Sequence, residues 1–234
     1  IDGVIVLDTT AIAELMRLTG PVRVDGLDRP LTADNAEEFL LRDQYLIENP
    51  VRTDLLDTIA SAVVNDLLGS AIPEPPRVAR ILGPLVPDRH LMLWSTHPDE
   101  AALFAELGAD GSLAQLIGDG DLAVAVNNAA GNKIDAYLDA IIDVHEGGAT
   151  ITLHNTAPAT GLPFYVIGNL VDLPEGTNRT RLTLYTRQPL ATAEQDGARL
   201  PVSAGRELDL HATTAVIDLA AGESTTIEIT WATP

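Results

Sequence analysis

The hydrophobic pattern changes along the chain, from a mixture of strand and helix periods to a strict two-residue period. Residues 3–7 (GVIVL) form a continuous apolar, β-branched run, which predicts an interior strand buried on both faces. Apolar positions at helical spacing follow over residues 11–19, and Gly20 and Pro21 end that helix. Residues 22–24 then predict a return strand. Such a strand–helix–strand opening is typical of sheets that contain parallel strands.

The next hundred residues continue this alternation. Helices are predicted over residues 32–47 and from Asn49 onwards, since Asn followed by Pro is a good helix start. Further strands are predicted at 89–95 and 121–126, with a helix over 98–107 between them. These strands are too few to flank an interior strand on both sides. We therefore expect a missing N-terminal half or a second protein chain to complete the α/β sheet.

The later part of the chain is β in character. Apolar and polar residues alternate over 134–145, which favours a long strand over the helical alternative that fits fewer positions. A Gly-rich turn would connect it as a hairpin to residues 149–155. Short strand-like runs follow, including 164–170 (FYVIGNL), at the spacing of a β-sandwich. The pattern predicts an α/β domain over 1–128 and an Ig-like β-sandwich over 129–234.

Composition excludes several classes of protein. The chain has 34 acidic and 14 basic residues, a formal charge of −20. This balance argues against a nucleic-acid binder with a clustered basic face and against electrostatic attachment to an anionic membrane. It has no cysteine, which removes disulfides and thiolate catalysis. No metal site, cofactor motif or catalytic residue is predicted, because the histidines lack paired ligand spacing and no nucleophile or nucleotide-binding motif is present.

No apolar stretch approaches the ~18 residues of a membrane span. The chain also opens on Ile1, without the charged and apolar regions of a signal peptide. We therefore expect this sequence to be part of a longer polypeptide whose anchor lies upstream.

Two arginines are candidates for binding an anion. Arg42 lies late in the second predicted helix, and Arg52 lies in the first turn of the third. A cation at a helix start opposes the helix dipole, unless an anion is bound there by the free backbone N–H groups. Arg pairs with phosphate through two hydrogen bonds, so the two side chains form a pyrophosphate-binding candidate. The alternative is that both pair with acidic neighbours.

A cluster of turn residues follows the strand that ends the α/β part. Its candidate members are Asn127, Asn132, Lys133 and Asp135. One interpretation is a domain junction in which the Asn side chains satisfy the backbone of a turn. The other is a polar contact between domains or with a partner.

Four stretches also carry a family resemblance: residues 1–24, 31–45, 128–135 and 153–158. Together they resemble the C-terminal part of an uncharacterised family of actinobacterial membrane-anchored proteins, known only as a domain of unknown function. The resemblance covers nearly the whole chain. It implies an upstream transmembrane segment and an extracytoplasmic position at the cell surface.

The first seventy residues are similar to the second half of a LytR–CpsA–Psr domain. Those envelope enzymes transfer glycopolymers from a polyprenyl-pyrophosphate carrier onto the cell wall, with arginines holding the pyrophosphate. Arg42 and Arg52 match two of the family's Arg positions. Other positions of that pattern hold different residues here: Gln44, Asn49, Leu55 and Leu56. The resemblance therefore implies a weakened anion site.

These observations lead to two functional hypotheses. The leading one is a non-catalytic extracytoplasmic envelope protein, which acts in envelope assembly, in surface structure or in binding a glycopolymer or its polyprenyl-phosphate carrier. The alternative is a divergent LytR–CpsA–Psr-like phosphotransferase that attaches glycopolymers to the cell wall. Nucleic acid is not an expected partner.

Overall fold

A computed structural model describes residues 1–48, 51–69, 74–112, 117 and 122–232. The chain is a mixed helix-and-sheet protein that divides into two compact units, Ile1–Gln115 and Leu116–Pro234. This division falls 13 residues before the boundary at 128 that the sequence pattern predicts. The reason is the strand over 122–128, which the sequence assigns to the α/β part. Its apolar face packs in the core of the second unit.

The first unit is mainly helical. It contains, in chain order, β1 (Gly3–Leu7), α1 (Thr9–Thr19), α2 (Ala36–Leu41), a 3-10 helix (Asp43–Leu46), α3 (Val51–Gly69), α4 (Pro75–Leu82), a second 3-10 helix (Gly83–Leu85), β2 (Leu91–Ser95) and α5 (Pro98–Glu106). The helices at 9–19, 51–69 and 98–106 confirm the sequence pattern. The Asn49–Pro50 start predicted for α3 lies outside the described residues. Helix α4 was not predicted from the sequence.

Local sequence explains how α1 begins and ends. The Asp8 side chain accepts a hydrogen bond from the N–H of Ala11 at 2.9 Å, which satisfies a free donor of the first turn. Gly20 has a φ of 98°, and its N–H closes the last turn on Met16. The buried face of α1 then packs against α2 and α3, with Leu15, Phe39 and Ile59 in the shared core.

Strands β1 and β2 form a two-stranded antiparallel sheet. The parallel arrangement expected from the strand–helix–strand pattern is therefore wrong for the described residues. Residues 22–24 form no strand, only one bridge between Val22 and Leu31. Instead, β2 pairs with β1. The pairing starts at the end of β1, where the Asp8 N–H donates to the carbonyl oxygen of His90. Strand β2 therefore runs back along β1.

The second unit contains two antiparallel sheets. Its elements are β3 (Leu122–Asn128), a 3-10 helix (Ile134–Tyr137), β4 (Leu138–His145), β5 (Gly148–Asn155), α6 (Phe164–Ile167), β6 (Asn178–Thr186), β7 (Leu190–Gln195), β8 (Ala198–Arg199), β9 (Ser203–Glu207), β10 (Leu210–Leu219) and β11 (Ser224–Trp231). The four-stranded sheet has the order β3-β6-β10-β9. The five-stranded sheet has the order β4-β5-β11-β7-β8. Over the described residues, both sheets are open.

One core joins these two sheets. It contains Ile151 and Ile227 from the five-stranded sheet and Leu182 and Ile217 from the four-stranded one, each no more than 1% exposed. Two-residue alternation predicts this arrangement, since it places one apolar face of every strand inwards. The β4–β5 hairpin confirms the strand interpretation of 134–145, although its first four residues form a 3-10 helix.

The run at 164–170 is the exception among the predicted strands. Residues Phe164–Ile167 form a short helix, with Pro163 directly before it. Phe164 and Tyr165 are exposed, whereas Val166 and Ile167 are buried. A single helical turn thus buries two of the apolar side chains in this run. The prediction of a strand here is wrong.

The β7–β8 hairpin turns through Asp196 and Gly197, both with positive φ. Asp196 also holds the neighbouring strand β11. Its carboxylate accepts hydrogen bonds from the Thr225 hydroxyl at 2.6 Å and the Thr226 N–H at 2.9 Å. The hydroxyl of Thr225, followed by the N–H of Thr226, lowers the pKa of Asp196 below its ordinary value of 3.8.

We expect Asp196→Asn to lower the urea midpoint of unfolding at pH 7. A carboxyl whose folded-state pKa is depressed stabilises the fold above its unfolded pKa. That contribution is lost as the pH falls through the folded-state pKa. The gap between wild type and variant should therefore close below about pH 4 in a pH series of urea titrations. The control is Asp209→Asn, whose carboxylate has no hydrogen bond within the part of the chain that the structure describes. A gap that stays constant with pH would contradict this account.

Candidate functional site

The edge of β1 is the first candidate surface. Two backbone hydrogen bonds fix which groups of β1 face β2. The Thr96 N–H donates to the carbonyl oxygen of Asp2, and the Asp8 N–H donates to the carbonyl oxygen of His90. In an antiparallel pair these groups alternate along the strand. Those of Val4 and Val6 therefore point to β2. The N–H and C=O groups of the other strand residues, Gly3, Ile5 and Leu7, point away from it.

Within the described ranges, no strand pairs with this outer edge of β1. The opposite edge of the sheet is better covered, because the Leu93 N–H donates to the Ala109 oxygen at 2.7 Å. Each unpaired strand residue leaves one donor and one acceptor for water or for another strand. The open edge of β1 is thus a short template for strand pairing.

The faces of this sheet are unequal. On one face, Leu7 and Leu91 pack with Ala11 and Leu85 in a small core of their own. The other face carries Val4 and Val6 of β1 beside Trp94 and Met92 of β2. Val4 is 42%, Val6 46% and Trp94 52% exposed. Clustered exposed apolar side chains of this kind mark interaction surfaces.

The interior position predicted for β1 is therefore not reached within the described residues. All five strand residues except Leu7 are exposed, although the sequence reads as a strand buried on both faces. The conflict is between a sequence suited to a sheet interior and a structure that supplies one neighbour. Sequence analysis missed Trp94 as part of this surface, because a lone aromatic residue in a strand usually indicates core.

In sequence, the two arginine candidates flank the 3-10 helix at 43–46, with Arg42 directly before it and Arg52 in the helix that follows. Arg42 is exposed at the C-terminus of α2. Arg52 is half-buried in the first turn of α3, and its guanidinium carbon lies 5.2 Å from the centroid of the Tyr45 ring. A cation over an aromatic face is stabilised by the ring quadrupole. Part of what makes Arg52 favourable at a helix start is therefore this ring.

A cavity of about 290 Å³ lies close by in the first unit. Its lining joins the loop at 26–29 to one side of α2 and the following turn, through Asn35, Phe39, Asp43 and Ile47. Neither Arg42 nor Arg52 belongs to this lining. The shared anion site of these two arginines stays a prediction.

The Asn-rich cluster is a hydrogen-bonded network inside the second unit. Asn128 is its centre, although the sequence prediction named its neighbour Asn127. The Asn128 amide donates to Asn132 at 2.8 Å and to Asp135 at 2.9 Å, and its oxygen accepts from the N–H groups of residues 130–132. These bonds satisfy the backbone of the turn after β3, which favours the structural interpretation.

Other parts of the unit are tied to the same network. Asn132 donates to the Gly168 oxygen, and Asn178 donates to Asp135 at 2.9 Å. Asn178 is fully buried, and its Oδ1 has no partner in the described structure. Asn127 and Lys133 are exposed and lie outside the network. A role for them in contacting a partner stays a prediction.

Among the described residues, no group of three or more His, Asp or Glu side chains converges as a metal site requires. None of the helices in the described part of the chain combines the length and the apolar character needed to cross a membrane.

One sequence family matches part of the chain. Residues 1–45 match the model of a protein family of unknown function (DUF4012). The match covers β1, α1 and α2, and it includes Arg42 but not Arg52. No curated protein matches the chain. No solved structure matches it either.

We expect Asn128→Ala to lower the free energy of unfolding by about 2–4 kcal/mol, since it removes several partly buried hydrogen bonds at about 1 kcal/mol each. Asn127→Ala, one residue earlier and exposed, should change it by less than about 0.5 kcal/mol. Urea titration of both variants measures the difference. Equal losses would show that the turn does not depend on Asn128.

Proposed function

We propose that this chain is a non-catalytic binding and assembly protein of the cell envelope, which works by accepting a further β-strand on the open edge of β1. The observation that carries the proposal is the outward backbone of Gly3, Ile5 and Leu7, beside the exposed Val4, Val6 and Trp94.

Physical arguments favour a strand over other partners. An isolated two-stranded sheet is marginally stable in water, and a third strand that also covers an apolar face stabilises it. Strand addition gives affinity through main-chain hydrogen bonds and specificity through alternate side chains. The partner segment would be extended and β-branched. It would be supplied by a further part of the same polypeptide or by a second chain.

Charge restricts the partner further. Asp2 and Asp8 flank β1, and the chain as a whole carries −20. Asp8 already has a partner in His90, at 2.6 Å between Oδ2 and Nδ1. A second acidic segment would be repelled. The favoured partner strand therefore has an apolar centre and basic ends.

The proposal extends to fold family and location. The two-sheet unit with one shared core is consistent with an Ig-like sandwich. The helical unit is proposed as the second half of a LytR–CpsA–Psr-like domain, supported by the positions of β1, α1, Arg42 and Arg52. Extracytoplasmic, membrane-anchored location rests on the family resemblance, as does the binding of a glycopolymer or its polyprenyl-phosphate carrier. The replaced positions of the anion pattern, Gln44 among them, favour binding over catalysis.

Strand addition is tested with a short peptide that alternates Thr and Val and carries a Lys at each end. Because Trp94 lies beside Val4, its emission should shift to shorter wavelength when the peptide covers that face. Ile5→Pro should abolish the shift. Proline removes only the outward N–H of residue 5 and is tolerated on edge strands.

Val4→Pro is the matched control, because the N–H of Val4 points to β2. It should destabilise the sheet itself and lower the melting temperature, whereas Ile5→Pro should leave it nearly unchanged. Saturable peptide binding by Ile5→Pro equal to that of wild type would contradict strand addition.

The anion site is tested separately by titration with a soluble polyprenyl pyrophosphate. Charge-assisted hydrogen bonds contribute about 1.5–3 kcal/mol each, so Arg42→Ala/Arg52→Ala should weaken binding at least tenfold. The titration uses the full ectodomain as wild type and as the double variant. Equal affinity in both, or binding in neither, would remove the carrier from the proposal and leave strand addition standing.

A further inference from the structure

The second unit carries an open edge of its own on β4. We propose that two copies of this chain associate through β4, which pairs antiparallel with β4 of the second copy around a two-fold axis at Ile142. This inference does not depend on the edge of β1 or on the proposed function.

The backbone of β4 is available for such a pair. A hydrogen bond from the Thr156 N–H to the Tyr137 oxygen, at 2.8 Å, sets the alternation of the β4–β5 ladder. The odd-numbered residues of β4 therefore bond to β5. The even-numbered ones point outwards: Leu138, Ala140, Ile142 and Val144. No other strand of the described chain pairs with this side.

Apolar side chains of β4 are also exposed to solvent. Ala140, Ile142 and Val144 share a face with Leu153, Ile151 and Ala149 of β5, which are fully buried. Nevertheless Ile142 is 45% and Val144 54% exposed, because the facing sheet does not cover β4. Long apolar edge strands of this kind are the sites at which sheets join. The strand at the opposite edge of the same sheet is β8, which has two residues.

The sequence of β4 complements itself in one register. With Ile142 on the axis, Ala140 lies opposite Val144 of the second copy, and Asp139 lies opposite His145 of the second copy. The shifted register, with Ile141 on the axis, would set Asp139 opposite Asp143 of the second copy twice. Opposed like charges destabilise a cross-strand pair, whereas Asp–His pairs can hydrogen-bond. Charge therefore favours the Ile142 register, in which β4 pairs with a second copy without placing like charges directly opposite each other.

An antiparallel pair of identical strands is also a closed arrangement. Residue i of one copy meets residue j of the other, and the reverse contact occurs across the axis. The two five-stranded sheets would thus become one continuous sheet, in which no β4 edge remains open.

The test uses single cysteines, since the chain has none of its own. In the proposed register the Cα atoms of Ile142 lie about 5.5 Å apart across the axis, a separation suited to a disulfide. Ile142→Cys should form a covalent dimer rapidly under mild oxidation. Ile141→Cys would sit roughly 8 Å from its counterpart and should react much more slowly. Val216→Cys is the control, an equally exposed position on β10.

Sedimentation equilibrium at ~150 mM salt, which screens the acidic surfaces, supplies the second readout. Wild type should approach twice its mass of 24.8 kDa as concentration rises. Ile142→Lys should weaken association at least tenfold, while Val216→Lys should leave it unchanged. A monomer at every concentration, or cross-linking of Ile141→Cys as fast as Ile142→Cys, would overturn the proposal.

Discussion

Backbone groups at the edge of a sheet need partners, and this requirement organises the structure more than any single side chain does. Helices α1 to α3 satisfy their own hydrogen bonds and bury a common apolar core. Strand β1 does not, because its one neighbour among the described residues satisfies only half of its N–H and C=O groups. The exposed Val4 and Val6 of β1 and Trp94 of β2 also leave apolar surface uncovered beside these backbone groups. Within the described residues, the sheet of the first unit therefore keeps one open edge.

The second unit meets the same requirement differently. Its two sheets cover each other, so that Ile151, Leu182, Ile217 and Ile227 are fully buried. Where strands end, the side chains of buried asparagines bond to backbone groups that have no strand partner. Asn155, for example, donates to the carbonyl oxygens of Gly176 and Leu219. Its outer strands are β3 and β9 in one sheet and β4 and β8 in the other, and β4 is the longest of the four.

Sequence periodicity predicted the elements whose burial is local. The α1 helix with its Gly20 stop, the α5 helix and the β4–β5 hairpin follow from spacing and turn chemistry. Pairing partners could not be read in this way. The alternation at 122–128 fits either unit, and only contact with β6 decides between them. The GVIVL run likewise indicates a buried strand, while its actual neighbours depend on chain segments far away in sequence.

For the site residues too, the sequence indicated the residues but not their partners. The turn composition at 127–135 predicted a polar cluster, but the central role of Asn128 depends on where its side chain points. Arg52 was recognised as unusual at a helix start, whereas the Tyr45 ring that it contacts belongs to the preceding turn. Residue types therefore predicted where polar chemistry lies. The partners of each group required the fold.

Amide hydrogen exchange along β1 tests the central claim most directly, because it reports each backbone N–H separately. If the outer edge is open, the amides of Ile5 and Leu7 should exchange rapidly in this chain, while those of Val4 and Val6 are protected by β2. A bound strand should protect Ile5 and Leu7 as well. Strong protection of Ile5 and Leu7 in the monomeric chain alone would contradict an open edge, and with it the proposal that β1 accepts a further strand.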